Sequence, residues 1–138
     1  MAYIDFIISL AVAAAAGMVI GFERQWQNKS AGLRTNTLVA MGAALYVLLS
    51  IQLTEEIGDV TRIIGQVVTG IGFLGAGIIF KEGANVYGLT TAATVWCSSA
   101  IGCLAGAGFY VETWIATLAI LIVHLILTPF NKLLNRRK

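Results

Sequence analysis

Ten polar side chains sit where apolar stretches begin or end: Glu23 and Arg24, then Arg34, Thr35 and Asn36, then Lys81 and Glu82, then Asn85, Thr90 and Thr91. Charges beside hydrocarbon are costly unless paired or hydrated, so they tend to face one another or a cavity. Glu23 with Arg34, or Arg24 with Glu82, are the natural pairs. Two helix starts, at Thr35 and Thr91, bring positive dipole ends into the same region, which favours an anion. Such a cluster either pins loops in place or forms a site for a phosphate-like ion or a partner's carboxylate.

Other reactive types are sparse. Glu55, Glu56 and Asp59 put three carboxylates within five residues, a weak candidate for Mg²⁺, which uses one or two carboxylates and keeps its waters. A solvated acidic loop is the commoner meaning of such a run. Gln66 and His124 are the remaining polar groups inside apolar stretches, and His124 has no second titratable residue on its own helix, so it reads as a satisfied structural histidine. Ser9, Ser50, Ser98 and Ser99 have no identifiable base, so no catalytic residue is assigned and an enzyme is not expected. Cys97 and Cys103 lie six apart, on different helix faces, without metal-ligand spacing. They read as small apolar residues. No cofactor is called for. Gly70-Ile71-Gly72-Phe73-Leu74-Gly75 satisfies G-x-G-x-x-G, but a dinucleotide loop must lie between a strand and a helix, and this one lies in eighteen uncharged residues.

The elements that hold these groups follow from composition. Of 138 residues, 58% are apolar and only 12% charged, far from the balance of a soluble surface. Uncharged runs cover Phe6–Phe22, Thr35–Thr54, Ile63–Phe80, Gly83–Val111 and Thr113–Asn131. A helix needs roughly 17–25 such residues to cross the hydrocarbon. In the longest run, Gly83–Gly88 is turn-rich, which leaves Leu89–Gly108 as the span. Alternating β-barrel patterning is absent, so the spans are helices. The expectation is an all-α polytopic membrane protein with five transmembrane helices in a single domain, residues 1–138. No basic region precedes the first span, and Asp5 stands where one is expected, so that span is not read as a cleaved signal.

Basic residues set the expected orientation. One side holds Arg24, Lys29, Arg34, Lys81, Lys132, Arg136, Arg137 and Lys138, and the other Arg62 alone. This predicts an outside N-terminus and a cytoplasmic C-terminus. Nucleic acid is not an expected partner, because no broad basic face exists. Pro129 should end the fifth helix, with Phe130, Leu133 and Leu134 forming a short interfacial segment or part of a solvated tail.

In lipid, helices are held by close backbone contact at small residues. Gly65, Thr69, Gly72 and Ala76 form such a stripe, widened by Gly70, Gly75 and Gly77. Gly17/Gly21 and Ser98/Gly102/Gly106 repeat the pattern in the first and fourth spans. The expectation is a tight bundle with the third helix at its centre, or else a Gly-lined conduit or homodimer seam. Laying residues 21–48 over 77–104 matches Gly-Leu-x-Thr at both helix starts (Gly32, Leu33 and Thr35 with Gly88, Leu89 and Thr91). This suggests two parallel hairpins related by an axis along the membrane normal.

Four ordered motifs now coincide: Gly17-x-x-Ile20-Gly21-x-Glu23-Arg24, Gly32-Leu33-Arg34-Thr35-Asn36, Gly70-Ile71-Gly72-Phe73-Leu74-Gly75-Ala76-Gly77, and Gly88-Leu89-Thr90-Thr91-Ala92-Ala93-Thr94-x-Trp96. In this the chain resembles the MgtC/SapB family, from about Tyr3 to Thr128. The resemblance implies a bacterial inner-membrane protein serving adaptation to low magnesium and survival inside macrophages. It further implies a regulator of other membrane machines, such as the F-type ATP synthase or transport ATPases. Lipid surrounds the spans, and a homo-oligomer is expected, because five short helices in one copy leave little room for a conduit. Longer members carry a soluble domain after the spans, to which nothing here corresponds. The alternative function is an oligomeric transporter or channel for a small ion or phosphate, ending at the Glu23/Arg24/Arg34/Glu82 cluster.

Overall fold

The computed structural model describes residues 3–53 and 59–135, with backbone alone at 131, 132 and 135. The chain is an all-α membrane protein. Its helices are α1 (Tyr3–Trp26), α2 (Leu33–Leu53), α3 (Val60–Ile78), α4 (Leu89–Gly106) and α5 (Tyr110–Asn135), each with a stretch long and apolar enough to cross a bilayer. Between α3 and α4 lies a short antiparallel hairpin, β1 (Phe80–Glu82) and β2 (Asn85–Tyr87). The turn-rich run read from the sequence is the tip and second strand of this hairpin. Gly83 takes a φ of +59°, as the first residue of a two-residue turn of the II′ kind does, and Phe80 stacks on Tyr87.

Helix ends are closed locally, as low-dielectric surroundings demand. At the end of α1, Lys29 N–H reaches Arg24 O (3.0 Å) and Asn28 N–H reaches Gln25 O (3.0 Å), with Asn28 left-handed. At the end of α4, Phe109 N–H reaches Leu104 O and Gly108 N–H reaches Ala105 O, with Gly108 left-handed. Both are Schellman closures. Asp59 caps α3: its carboxylate accepts from the Thr61 hydroxyl and, at 2.9 Å, from Thr61 N–H, and these bonds hold its pKa below the usual carboxylate range. Glu55 and Glu56, its fellows in the weak metal candidate, lie outside the described residues.

The centre of the bundle is α1, α2 and α4. Helices α2 and α4 run parallel and touch backbone to backbone. Ser98 meets Asn36, Gly102 meets Ala40, and Gly106 meets Ala44, one turn at a time. On the other side of α2, Gly17 lies against Asn36 and Thr37, and Gly21 against Gly32 and Leu33. Ala13, Ala44 and Ala105 close the middle layer, while Ala16, Ile20 and Ile101 pack with Ala116 and Ile120 of α5.

Placing the third helix at the centre is therefore a correction: α3 lies at the rim. Ile71 is its only buried residue, and a Cβ added at Gly65, Gly70, Gly72 or Gly77 would meet nothing within 4 Å. The helix docks by Val60, Ile64 and Val67, together with Ile71, onto the α2–α4 side. At 3.6 residues per turn the Gly65/Thr69/Gly72/Ala76 stripe points roughly 140° away from that face. Crevices of about 610 Å³ between α2 and α3, and about 400 Å³ between α3 and α4, flank the helix. A second correction concerns Pro129, through which α5 continues to Asn135. Proline is tolerated in membrane helices, and here it removes only the N–H that would reach Leu125 O.

Candidate functional site

The strongest concentration of buried polarity lies between the helices near the end that carries the α1–α2 loop and the hairpin. It is built from one face of α4. Thr91, Thr94 and Ser98 follow one another at spacings of three and four, so their hydroxyls line a single stripe. Each hydroxyl takes a partner from a different helix. Arg24 Nη2 of α1 donates to Thr91 Oγ1 at 2.9 Å. Ser98 Oγ donates to Asn36 Oδ1 of α2 at 2.8 Å. His124 Nε2 of α5 lies 3.1 Å from Thr94 Oγ1, whose own proton goes to Thr90 O at 2.8 Å. With that single hydroxyl proton spent, His124 Nε2 carries the proton of the shared bond.

Asn36, fully buried, is the hub. Besides accepting from Ser98, its amide donates to Ala31 O (2.6 Å) and Gly32 O (3.0 Å). Ala31 holds a φ of +55°, and the amide ties that strained turn down. Farther along, where α1 begins and α5 begins, Ser9 Oγ and Tyr110 OH share a bond of 2.9 Å.

The ten polar residues read from the sequence separate into two groups. Glu23, Arg24, Asn36 and Thr91 are brought inside the bundle, whereas Arg34, Thr35, Lys81, Glu82, Asn85 and Thr90 are exposed around its rim. Neither expected ion pair forms. Glu23 accepts from Gln27 Nε2 one turn on, and Arg24 turns to Thr91, while Arg34 and Glu82 stay at the surface. The reason is geometric, because consecutive residues on a helix face about 100° apart. Arg24 therefore points into the bundle and Glu23 toward α5. Within this cluster Glu23 Oε2 and Arg24 Nε are buried without partners.

Two members of this network were not among the residues predicted as a site, Thr94 and His124. The three-four spacing of Thr91, Thr94 and Ser98 is the signal that locates them. Among the described residues no group of three or more His, Cys, Asp or Glu is arranged to hold a metal. Bonded as they are, the buried groups fasten four helices together along two turns of α4.

The packing glycines also separate. A Cβ at Gly17, Gly21, Gly102 or Gly106 would stand under 3 Å from backbone of a neighbouring helix or of the α1–α2 turn. At Gly75 it would meet Ala92 Cβ at an ordinary 3.8 Å, and Gly65, Gly70, Gly72 and Gly77 face open space. Thr69 bonds only within its own helix, to Gly65 O.

Comparison with known proteins adds identity to this geometry. The model of the MgtC family matches residues 10–133. A Brucella abortus protein named MgtC is 54% identical over 126 residues, covering 91% of this chain and 52% of its own. Salmonella typhimurium MgtC is 46% identical over 136 residues, covering 99% and 58%. An uncharacterised Synechocystis protein, slr0014, is 46% identical over 137 residues, covering 99% and 58%. The chain thus spans just over half the length of these relatives. No solved structure matches.

Proposed function

The chain belongs to the MgtC family, and from that membership we propose that it is an inner-membrane regulatory protein that binds other membrane proteins and supports growth at low magnesium. The observation that carries this reading is the open small-residue face of α3. On the stripe of Gly65, Thr69, Gly72 and Ala76, neither glycine has a neighbour within 4 Å, while Gly17, Gly21, Gly102 and Gly106 of α1 and α4 are brought onto backbone. In lipid, close approach at small residues is what drives helices together, so an unpartnered face of this kind suits another transmembrane helix. That helix belongs to a second copy or to a larger complex such as a rotary ATP synthase or a transport ATPase.

The buried polar groups support the same reading. Arg24, Asn36, Thr94 and His124 are bonded across helices, as fastenings are. Neither catalysis nor a cofactor is part of the proposal. The preponderance of basic residues at the α1–α2 loop and the hairpin supports a cytoplasmic position for that end.

Gly72→Leu, with Gly65→Leu beside it, tests the docking face. Association with the membrane partner, measured by co-purification in mild detergent, should weaken about ten-fold or more, since tight backbone approach is lost. The thermal unfolding of the variants should match the parent, because nothing packs against either glycine. Unchanged association would remove α3 as the docking face. Leu118→Ile on the exposed side of α5 serves as the control.

A further inference from the structure

A groove of about 790 Å³ runs between α1 and α5 at the end of the molecule that carries the α1–α2 loop. Its walls are Met18, Phe22, Leu121 and Leu125, with Trp26 at the loop end. Phe22, Trp26 and Leu125 are more than half exposed, so the groove opens sideways, toward the bilayer. In this apolar trough stands one carboxylate. Glu23 is only 7% exposed, Gln27 holds its Oε1, and its Oε2 has no partner.

An anionic oxygen without a donor in hydrocarbon is expensive; Arg24 is close enough to attract it, but its guanidinium turns inward to Thr91 and leaves Oε2 without a hydrogen bond. The occupant that suits such a groove has acyl chains for the walls and a hydrogen-bond-donating cation for Glu23. We propose that the α1–α5 groove binds a phospholipid with a primary ammonium headgroup, of the phosphatidylethanolamine type. Its ammonium donates to Glu23, in company with or in exchange for the Gln27 amide. One acyl chain lies along Phe22, Met18 and Leu121. Lys29 and Arg34, both exposed at the same end, are available to the phosphate. The site lies on the α1–α5 side, so it is independent of what docks on α3.

Methylation of the amine separates donation from charge, because phosphatidylcholine keeps the positive charge and loses every N–H. Native mass spectrometry of the detergent-purified protein, titrated with phosphatidylethanolamine and phosphatidylcholine of identical chains, reads the preference. The parent should favour phosphatidylethanolamine by about ten-fold, the value of one charge-assisted hydrogen bond. Glu23→Gln should reduce the preference below about two-fold, and Glu82→Gln, at an exposed carboxylate, should leave it intact. Where Glu23→Gln does not fold, the mono- and dimethylated lipids decide the matter in the parent alone, with affinity held while one N–H remains and lost at the last methylation. Equal binding of the two headgroups by the parent overturns the proposal, as does a preference that survives Glu23→Gln.

Discussion

Gly102→Leu is expected to abolish the folded bundle. Even a methyl group at this position would lie 2.1 Å from Ala40 O and 2.8–2.9 Å from the carbonyl carbon and Cα behind it. Ordinary C···O contacts stand at about 3.3 Å or more, so α2 and α4 would have to separate by more than 1 Å. That movement cannot be absorbed by a side-chain rotation, because the obstacle is backbone. It would also stretch the Ser98–Asn36 bond one turn away and lift Gly106 off Ala44. Overpacking costs about 1–3 kcal/mol where side chains can yield, and this site belongs at or above the top of that range. Gly102→Ala alone should therefore cost on the order of 3 kcal/mol, and leucine more. Gly65→Ala gives the contrast. With open space around it, alanine there should be neutral or stabilising by up to about 1 kcal/mol through helix propensity. Denaturant unfolding in detergent, followed by circular dichroism, reads both values. Equal effects at the two glycines would mean that α2 and α4 do not meet as described.

Asn36→Leu carries the second large effect. Leucine keeps the branching of asparagine but replaces its amide with two bulkier methyls, so the change strips polarity from a fully buried position and crowds it slightly. Three bonds go: the one accepted from Ser98 and the two donated to Ala31 O and Gly32 O. Interhelical hydrogen bonds in membrane proteins average about 0.6 kcal/mol and reach about 1.7. Losing all three, and with them the grip on the left-handed Ala31, should cost about 2–4 kcal/mol. Ser98→Ala removes one bond alone and should cost close to the average. Because Ser98 is coupled to α2 only through Asn36, Ser98→Ala should cost less in the Asn36→Leu background than in the parent. A double-mutant cycle measures that coupling, and a value of zero would show that the two side chains do not interact.

These two residues also show how far the sequence could be read. The five spans were legible because hydrocarbon thickness dictates length, and Tyr3–Trp26 or Val60–Ile78 could be nothing else with so few charges. A stripe of small residues, by contrast, says that close approach is permitted and not which helix makes it. Gly102 and Gly106 are used because Ala40 and Ala44 lie opposite; the richer stripe of α3 has no such counterpart among the described residues. The charged residues were legible as a region and not as pairs. Glu23 and Arg24 adjoin in sequence but face different neighbours, and Gln27, one turn on, reaches Glu23 while the more distant charges do not. Likewise the Gly-Leu-x-Thr repeat pairs Gly21 with Gly77, yet Gly21 presses on Leu33 and Gly77 on nothing. Contacts between α2 and α4 run instead at a separation of 62, from Asn36 to Ser98. His124 was visible as a lone histidine, and its partner Thr94 lay in plain view on the stripe of Thr91 and Ser98.

In the proposed function the buried polar network is a fastening and the open face of α3 is the working surface. Flux through purified protein in sealed liposomes tests that division most directly. Vesicles carrying the protein should pass Mg²⁺, protons and inorganic phosphate no faster than empty ones. A flux that disappears in Glu23→Ala or Arg34→Ala would contradict the account and make the same polar end the mouth of a conduit.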